Sequence, residues 1–377
     1  MALYGLPEAG QRWNDTLRDF LISINFKSLK SDPNLYYYSR SNGDFCLLPT
    51  VVDDTLDVCN SEEMRKEIHK KLLDRFGWKT SGKCSWFLGC KVSQNYLEIS
   101  IDQRIYLKNL IKTFESFDIR RYDTPASEIL LQPPDEDERV TDFPYAQLVG
   151  SLLWLMRTRP DIAYAVGQCA KYINNHSELH DKAAKRILGY LMKYPDYGIV
   201  FPKCDQPSET KLDVELYSDA SWADDRSDGF SSYGYLVCLN GASIAWKSKK
   251  TLSICLSSCE SEYYALSEAS NEAFYLNNLL SELKFDYNFP PTLKTDSMPA
   301  IRLAEVPRVN ERTKHVGLKL HFVRWAVSQG LVSLKYVPTD QNIADIFTKP
   351  LGRVKFNALR PFLVELIDDD HVETIVN

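Results

Sequence analysis

No run of eighteen consecutive apolar residues occurs in this 377-residue sequence, which excludes a transmembrane helix. The opening MALYGLPEAG has neither a basic segment nor an apolar one, so it does not read as a signal peptide. None of the nine cysteines stands in a Cys-x-x-Cys pair, which excludes a zinc ribbon and a thioredoxin-type motif. Their odd number and scatter fit reduced thiols in an intracellular protein. Basic charge is not in surplus either. Against 51 Asp and Glu stand 45 Lys and Arg, and a net charge of −6 weighs against a simple polyanion binder. Two acidic runs, Asp135-Glu136-Asp137-Glu138 and Asp368-Asp369-Asp370, read as solvated linker and terminus. The remainder is near neutral, so local basic stripes stay open. Internal repeats and low-complexity segments are absent.

What is present is an ordinary globular composition, 44% apolar and 25% charged, with room for two or three domains. A helix is expected from Gly10 through Leu21, then an apolar strand at Phe45–Leu48 that Pro49 interrupts, then a hairpin with Asp53 and Asp54 at its tip. A helix over Glu62–Phe76, strands near Trp86–Gly89 and Tyr96–Ile101, and a helix over Gln103–Phe114 follow. Pro125 to Asp142 is the linker candidate. Residues 145–193 carry three apolar stripes of helical period. After residue 210 the pattern becomes three strands, then α, β, α, β, α. The strands are Val214–Tyr217, Tyr233–Leu239 and Ile244–Ile254, the last two turned at Asn240-Gly241. A long helix, Glu260–Leu283, comes next.

That order places acids in a particular way. Asp219 and Asp296 are each expected at the carboxyl end of a strand, where sites of such sheets gather. Asp345 falls in the first turn of the last helix, which Asn342 caps. On the long helix Leu266, Ala269, Ala273, Leu276 and Leu280 mark the buried stripe. Glu262 is in phase with it and Glu260 is not, so Glu262 points inward. Four converging carboxylates without a basic partner need metal. Two magnesium ions suit all-oxygen ligands, with Mn²⁺ able to substitute, and such a pair cleaves phosphodiesters.

The residues carrying these acids resemble the ribonuclease H domain of copia-type LTR retrotransposons. They are Tyr-Ser-Asp-Ala-Ser-Trp-Ala (217–223), Ala-Trp-Lys-Ser-Lys-Lys (245–250), Leu-Ser-Ser-Cys-Glu-Ser-Glu-Tyr-Tyr-Ala-Leu (256–266), Lys-Thr-Asp-Ser (294–297), Arg-Thr-Lys-His (312–315), His-Phe-Val-Arg (321–324), Lys-Tyr-Val-Pro-Thr (335–339) and Ala-Asp-Ile-Phe-Thr-Lys-Pro-Leu (344–351). The resemblance implies metal-binding acids at Asp219, Glu262, Asp296 and Asp345. The loop before the last acid, 338–342, has no histidine, as in copia-type members.

Upstream, Leu3-Tyr4-Gly5-Leu6 with Arg12-Trp13, Val51-Val52-Asp53-Asp54, Phe87-Leu88-Gly89, Gly150–Leu153 and Thr158–Ile162 resemble copia-type reverse transcriptase. The fold implied is mixed α/β and α+β. A partial reverse-transcriptase palm and thumb (1–125) precedes a linker and helical connection (126–209), a ribonuclease H-like mixed five-stranded sheet flanked by helices (210–352), and a C-terminal helix with acidic tail (353–377). Asp53 and Asp54 would be catalytic acids of the polymerase hairpin. Val51 stands where the family has tyrosine and Glu8 where it has glutamine, and the third palm acid lies upstream, so polymerisation by this chain is expected to be lost. The expected chemistry is Mg²⁺-dependent hydrolysis of RNA in RNA–DNA hybrids; the rivals are a relic that binds nucleic acid without cleaving it, and a piece acting with other Pol-derived chains.

Ser177 is expected to cap a helix between His176 and His180, which gives both structural roles. Trp246, Lys247, Lys249 and Lys250 would follow a nucleic-acid backbone. Arg312 and Lys314, with Lys319, His315 and His321 nearby, would meet phosphates or form a solvated helix face. Cys255 and Cys259 read as packed small hydrophobes.

Overall fold

In the computed structural model the described residues are 8–52, 54–129, 131–134, 141–203, 211–225, 227–305 and 317–367. They form two compact units, residues 1–92 with 275–286, and residues 93–274 with 287–377.

The first unit begins with α1 (Ala9–Ser23), whose Leu17 and Leu21 are buried one turn apart. Strands β1 (Lys27–Ser28), β2 (Leu35–Ser39), β3 (Phe45–Val51), β4 (Asp54–Thr55) and β5 (Val58–Cys59) form an antiparallel sheet in which β3 pairs with β2, β4 and β5. Helix α2 (Glu62–Phe76) has Ser61 as N-cap and Gly77, in the left-handed region at φ 70°, at its C-terminus. Its Met64, Ile68 and Leu72 pack with Leu17, Leu21, Phe26, Tyr36 and Leu48.

Pro49 does not interrupt β3. It pairs with Leu35, and its carbonyl accepts from Leu56 N, so its missing N–H points into the gap between the two short strands β4 and β5, where no ladder bond is lost. The expected strand at Trp86–Gly89 is a hairpin instead. β6 (Trp86–Phe87) turns through Leu88 and Gly89, at φ 48° and 78°, into β7 (Cys90–Gln94).

The second unit contains β8 (Glu98–Asp102), α3 (Arg104–Thr113), α4 (Tyr145–Leu155), α5 (Ala163–Ala170) and α6 (Glu178–Lys193). Strand β9 (Tyr197–Pro202), which the sequence reading missed, pairs with β8. Next come β10 (Val214–Ser221), β11 (Ser232–Leu239), β12 (Ala242–Lys250), α7 (Ser258–Leu283, of which residues 275–283 belong to the first unit), β13 (Thr292–Thr295), α8 (Met298–Glu305), α9 (Gly317–Ser328) and β14 (Ser333–Tyr336). A 3₁₀ helix over Ile343–Phe347, α10 (Arg353–Leu359) and β15 (Glu365–Leu366), which pairs with β9, complete it.

The mixed five-stranded sheet is borne out. Its order is β12-β11-β10-β13-β14, antiparallel from β10 to β12 and parallel from β10 to β14. The Asn240-Gly241 turn forms with both residues at positive φ, 49° and 83°. β12 stops at Lys250, opposite the first residue of β11, so Leu252 and Ile254 project into solvent rather than extending a strand. One core joins Leu107 and Leu110 of α3, Leu148, Val149 and Leu152 of α4, Ile187, Leu188 and Leu191 of α6, Leu236 of β11 and Phe347. Each such leucine contributes about 1.5–3 kcal/mol by leaving water.

The segment 158–161 is structural. Arg159 is buried, with Nε 3.0 Å from Asp161 Oδ1 and Nη2 2.8 Å from Oδ2. Its Nη1 donates to the Tyr194 carbonyl (2.8 Å), and Tyr190 Oη donates to Asp161 Oδ2 (2.5 Å).

Candidate metal centre

Parallel pairing sets the first two acids side by side. β10 and β13 run in register with Tyr217 opposite Lys294, so two rungs further on Asp219 faces Asp296. Asp296 directly follows β13, as expected. Asp219 does not end its strand, because the antiparallel neighbour β11 continues the ladder to Ser221–Ser232. Glu262 enters from the first turns of α7. Leu266, Ala269 and Ala273 beneath it are fully buried, and its phase with them turns it toward the sheet. Glu260, off that stripe, accepts from Leu256 N (2.7 Å) while its own N–H donates to Ser257 Oγ (3.2 Å), a local cap.

One carboxylate oxygen from each of Asp219, Glu262 and Asp296 lies within 4.8 Å of the others. Among the described residues this is the one group of three His, Cys, Asp or Glu ligands so arranged. Asp345 is also buried. It sits on the 3₁₀ helix, not on an α-helix, and Asn342 caps that helix by accepting from Ala344 N (3.3 Å). Asn342 Nδ2 donates to the Ser218 carbonyl (3.0 Å) and toward Asp296 Oδ1 (3.4 Å), tying the two acid-bearing strands together. Thr348 Oγ1 donates to Asp219 Oδ2.

The expectation of acids without a basic partner is wrong. Lys349 Nζ stands 2.6 Å from Asp345 Oδ1 and 3.5 Å from Asp219 Oδ2, and Lys355 Nζ pairs with Asp345 Oδ2. Lys349 follows Asp345 by four residues, a spacing that the 3₁₀ turn and its continuation bring together. Two ammonium groups against four carboxylates still leave two carboxylates unbalanced when all are ionised. Burial pushes the Asp219 carboxyl up to about 7, with Lys349 opposing and Asp345 adding to the rise. Burial, then the charges of Asp219 and Asp296, push Glu262 up to about 9. Glu262 Oε2 is buried and makes no hydrogen bond. An all-oxygen set with surplus charge and an unsatisfied carboxylate oxygen fits a hard divalent cation.

A glycine that the sequence reading passed over shapes the centre. Gly234 pairs with Asp219, and a Cβ there would lie 2.4 Å from Phe347 Cβ, so only glycine lets the 3₁₀ helix press on β11.

The remaining candidate residues are dispersed. Asp53 lies outside the described residues; Asp54 is exposed and pairs with Val51, and Trp13 Nε1 donates to the Val52 carbonyl (2.8 Å) at the same turn. Arg312, Lys314 and His315 also lie outside them, as does the motif 3–6. On β12, Lys247 and Lys249 face one side and Lys250 the other, so the three do not form one stripe. Lys247 pairs with Glu268 (3.3 Å), which also holds Lys319 (2.6 Å), and Lys250 pairs with Asp225 (3.0 Å) and Asp228. Trp246 packs half-buried against the core; Lys249 is exposed. Ser177 caps α6 as expected, with His180 in the capping box and His176 Nδ1 3.1 Å from Asp181. No helix among the described residues is long and apolar enough to cross a membrane.

Residues 1–128 match the family model described as reverse transcriptase (RNA-dependent DNA polymerase). The chain is 33% identical over 356 residues to the retrovirus-related Pol polyprotein from transposon RE1 of Arabidopsis thaliana, covering 94% of this chain and 24% of that one. It is 30% identical over 365 residues to the counterpart from transposon TNT 1-94 of Nicotiana tabacum, covering 94% and 27%. The chain thus spans about a quarter of the length of these relatives. A solved LC11 ribonuclease H1 in complex with RNA/DNA hybrid is 14% identical over 36% of this chain and 93% of its own, at a TM-score of 0.28, too slight a likeness to carry weight. With relatives matched along nearly its whole length, the chain belongs to the copia-type retrotransposon Pol family.

Proposed function

We propose that the second unit hydrolyses the RNA strand of RNA–DNA hybrids with Mg²⁺, or Mn²⁺ in its place, inside the cell. The observation that carries this reading is the gathering of buried Asp219 with half-buried Glu262 and Asp296, an oxygen of Glu262 being left unsatisfied. Those three and Asp345 would hold the metal. When bound, a pair of divalent cations supplies Lewis acidity that activates water and stabilises the leaving oxygen. The chain's own residues arrange the ligands. Thr348 fixes the rotamer of Asp219, Asn342 aligns Asp296 with β10, and Lys355 holds Asp345. The domain scheme follows: palm and thumb in 1–125, connection in 126–209, ribonuclease H in 210–352, terminal helix and tail in 353–377. Polymerisation is not assigned to this chain alone. Among the described residues of the first unit no three acids gather, and Asp54 is exposed.

A second reading, a protein that binds hybrid without cleaving it, draws on Lys349 and Lys355, which offset part of the charge a metal would neutralise. Incubating the purified chain with end-labelled hybrid decides between them. Cleavage with Mg²⁺ that stops with EDTA, and in Asp219→Asn combined with Asp296→Asn, supports the nuclease. Cleavage surviving both substitutions refutes the metal assignment, and retained hybrid with no cleavage in Mg²⁺ or Mn²⁺ favours the second reading.

A further inference from the structure

The two lysines at the acid cluster are held differently. Lys355 Nζ bonds the Thr339 carbonyl (2.8 Å) as well as Asp345, and among the described residues it bridges to no second acid. Lys349 Nζ spans two acids, Asp345 and Asp219, from a side chain that is 35% exposed. A divalent cation on Asp219 would therefore meet an ammonium group already at ion-pairing distance from the same carboxylate. Like charges so close repel, and the oxygens that neutralise one cannot fully neutralise the other. Lysine suits an exchangeable role, being a compact charge on a flexible four-carbon stem with no fixed fork of donors. The two side chains are about equally exposed, 35% and 30%, and what sets them apart is the Thr339 carbonyl that anchors Lys355.

We propose that Lys349 is a displaceable counter-ion for the metal-free centre. It balances Asp219 and Asp345 until a divalent cation binds and then swings to the rim, whereas Lys355 stays and positions Asp345. The inference rests on the metal reading above and concerns the order of occupancy at that site. By linkage, whatever favours the ammonium in place weakens the metal by the same factor. Lys349 thus sets how tightly metal is held and is not a catalytic residue.

Two measurements on the full chain test it. In the first, lysines of the unaltered protein are acylated with an N-hydroxysuccinimide ester, with and without saturating Mg²⁺, and peptides are quantified by mass spectrometry. Labelling of Lys349 should rise about fivefold with Mg²⁺ while that of Lys355 stays level. A Lys349 signal that is unchanged or falls overturns the proposal, and this readout needs no variant to fold. In the second, Mg²⁺ binding is followed by calorimetry, without substrate, for the unaltered chain and for Lys349→Gln and Lys355→Gln. Lys349→Gln should bind about tenfold more tightly, and Lys355→Gln no more tightly than the unaltered chain. Equal or weaker binding by Lys349→Gln overturns the proposal. Binding by Lys349→Gln alone supports it in its strongest form. No binding by any of the three removes the metal reading and this inference together, whereas Mg²⁺ binding with an indifferent Lys349 label sinks the inference alone.

Discussion

Two of the places where the second unit buries charge are built on opposite terms. Around Arg159 the account closes: one guanidinium meets one carboxylate through two hydrogen bonds, with Tyr190 and the Tyr194 carbonyl taking what remains. Around Asp219 it does not close. Four acids share two lysines, and Glu262 Oε2 has no hydrogen-bond partner. A buried pair that satisfies itself needs nothing from outside and serves the fold. A buried group of acids with charge left over strains the fold and gains from a cation. Removing a carboxylate should therefore have opposite effects in the two places.

The largest effect is expected from Glu262→Gln. Hybrid cleavage should fall by about 10⁴-fold, roughly 5 kcal/mol of transition-state stabilisation, while the metal-free protein melts no lower than the unaltered chain. A lower melting temperature would mean that Glu262 supports the fold and that the two clusters do not differ in kind. Asp161→Ala is the counterpart. It leaves Arg159 buried and unpaired and should destabilise by about 3–5 kcal/mol, read by denaturant unfolding of the second unit's transition. A loss below about 1 kcal/mol would show the Arg159 pair to be dispensable.

Much of this contrast was legible in the sequence, and the illegible part has a common cause. Glu262 declared its direction through its phase with Leu266 and Ala269, and the apolar runs of β10 and β13 placed Asp219 and Asp296 on neighbouring strands, although only Asp296 lies at a strand end. Those are local periodicities, which a sequence carries directly. Lys349, Thr348 and Gly234 matter only because the 3₁₀ helix lies across β11, a tertiary fact with no period to read. The same blindness made Lys247 and Lys250 look like free cations, since their partners Glu268 and Asp225 lie 21 and 25 residues away. Pro49 misled for a subtler reason. Whether proline breaks a strand depends on which neighbour its nitrogen faces, and β3 turns that side toward a gap.

The surplus at the acid cluster also predicts a pH dependence. The folded protein holds protons on Asp219 up to about pH 7 and on Glu262 up to about pH 9, above the ordinary carboxylate range near 4 that applies on unfolding. Between about pH 4 and 9 the native state thus binds more protons than the unfolded one. Stability is fully present below that window and is lost as pH rises through it. In EDTA the second unit should lose stability steadily from pH 5 to pH 9, measured by urea unfolding, and Mg²⁺ should restore most of the loss at pH 9. A flat profile in EDTA would mean that Lys349 and Lys355 already neutralise the group.

The smallest effects come from a matched pair of glycines, one beside each cluster. Gly189 precedes Tyr190 on α6, and a Cβ there would fall 1.9 Å from the Arg120 carbonyl oxygen; at Gly234 it would strike Phe347. Either Gly→Ala change should destabilise by about 1–3 kcal/mol through overpacking. Their functional consequences should diverge. At Gly189 the strain falls on packing near a self-satisfied pair, so Mg²⁺ affinity should hold. Relief at Gly234 requires the 3₁₀ helix to lift from β11, which carries Asp345 away from Asp219 and should weaken Mg²⁺ binding several-fold. If Gly189→Ala and Gly234→Ala weakened Mg²⁺ equally, general loosening of the unit would explain both, and the 3₁₀ helix would lose its place as the element that sets the acids' spacing.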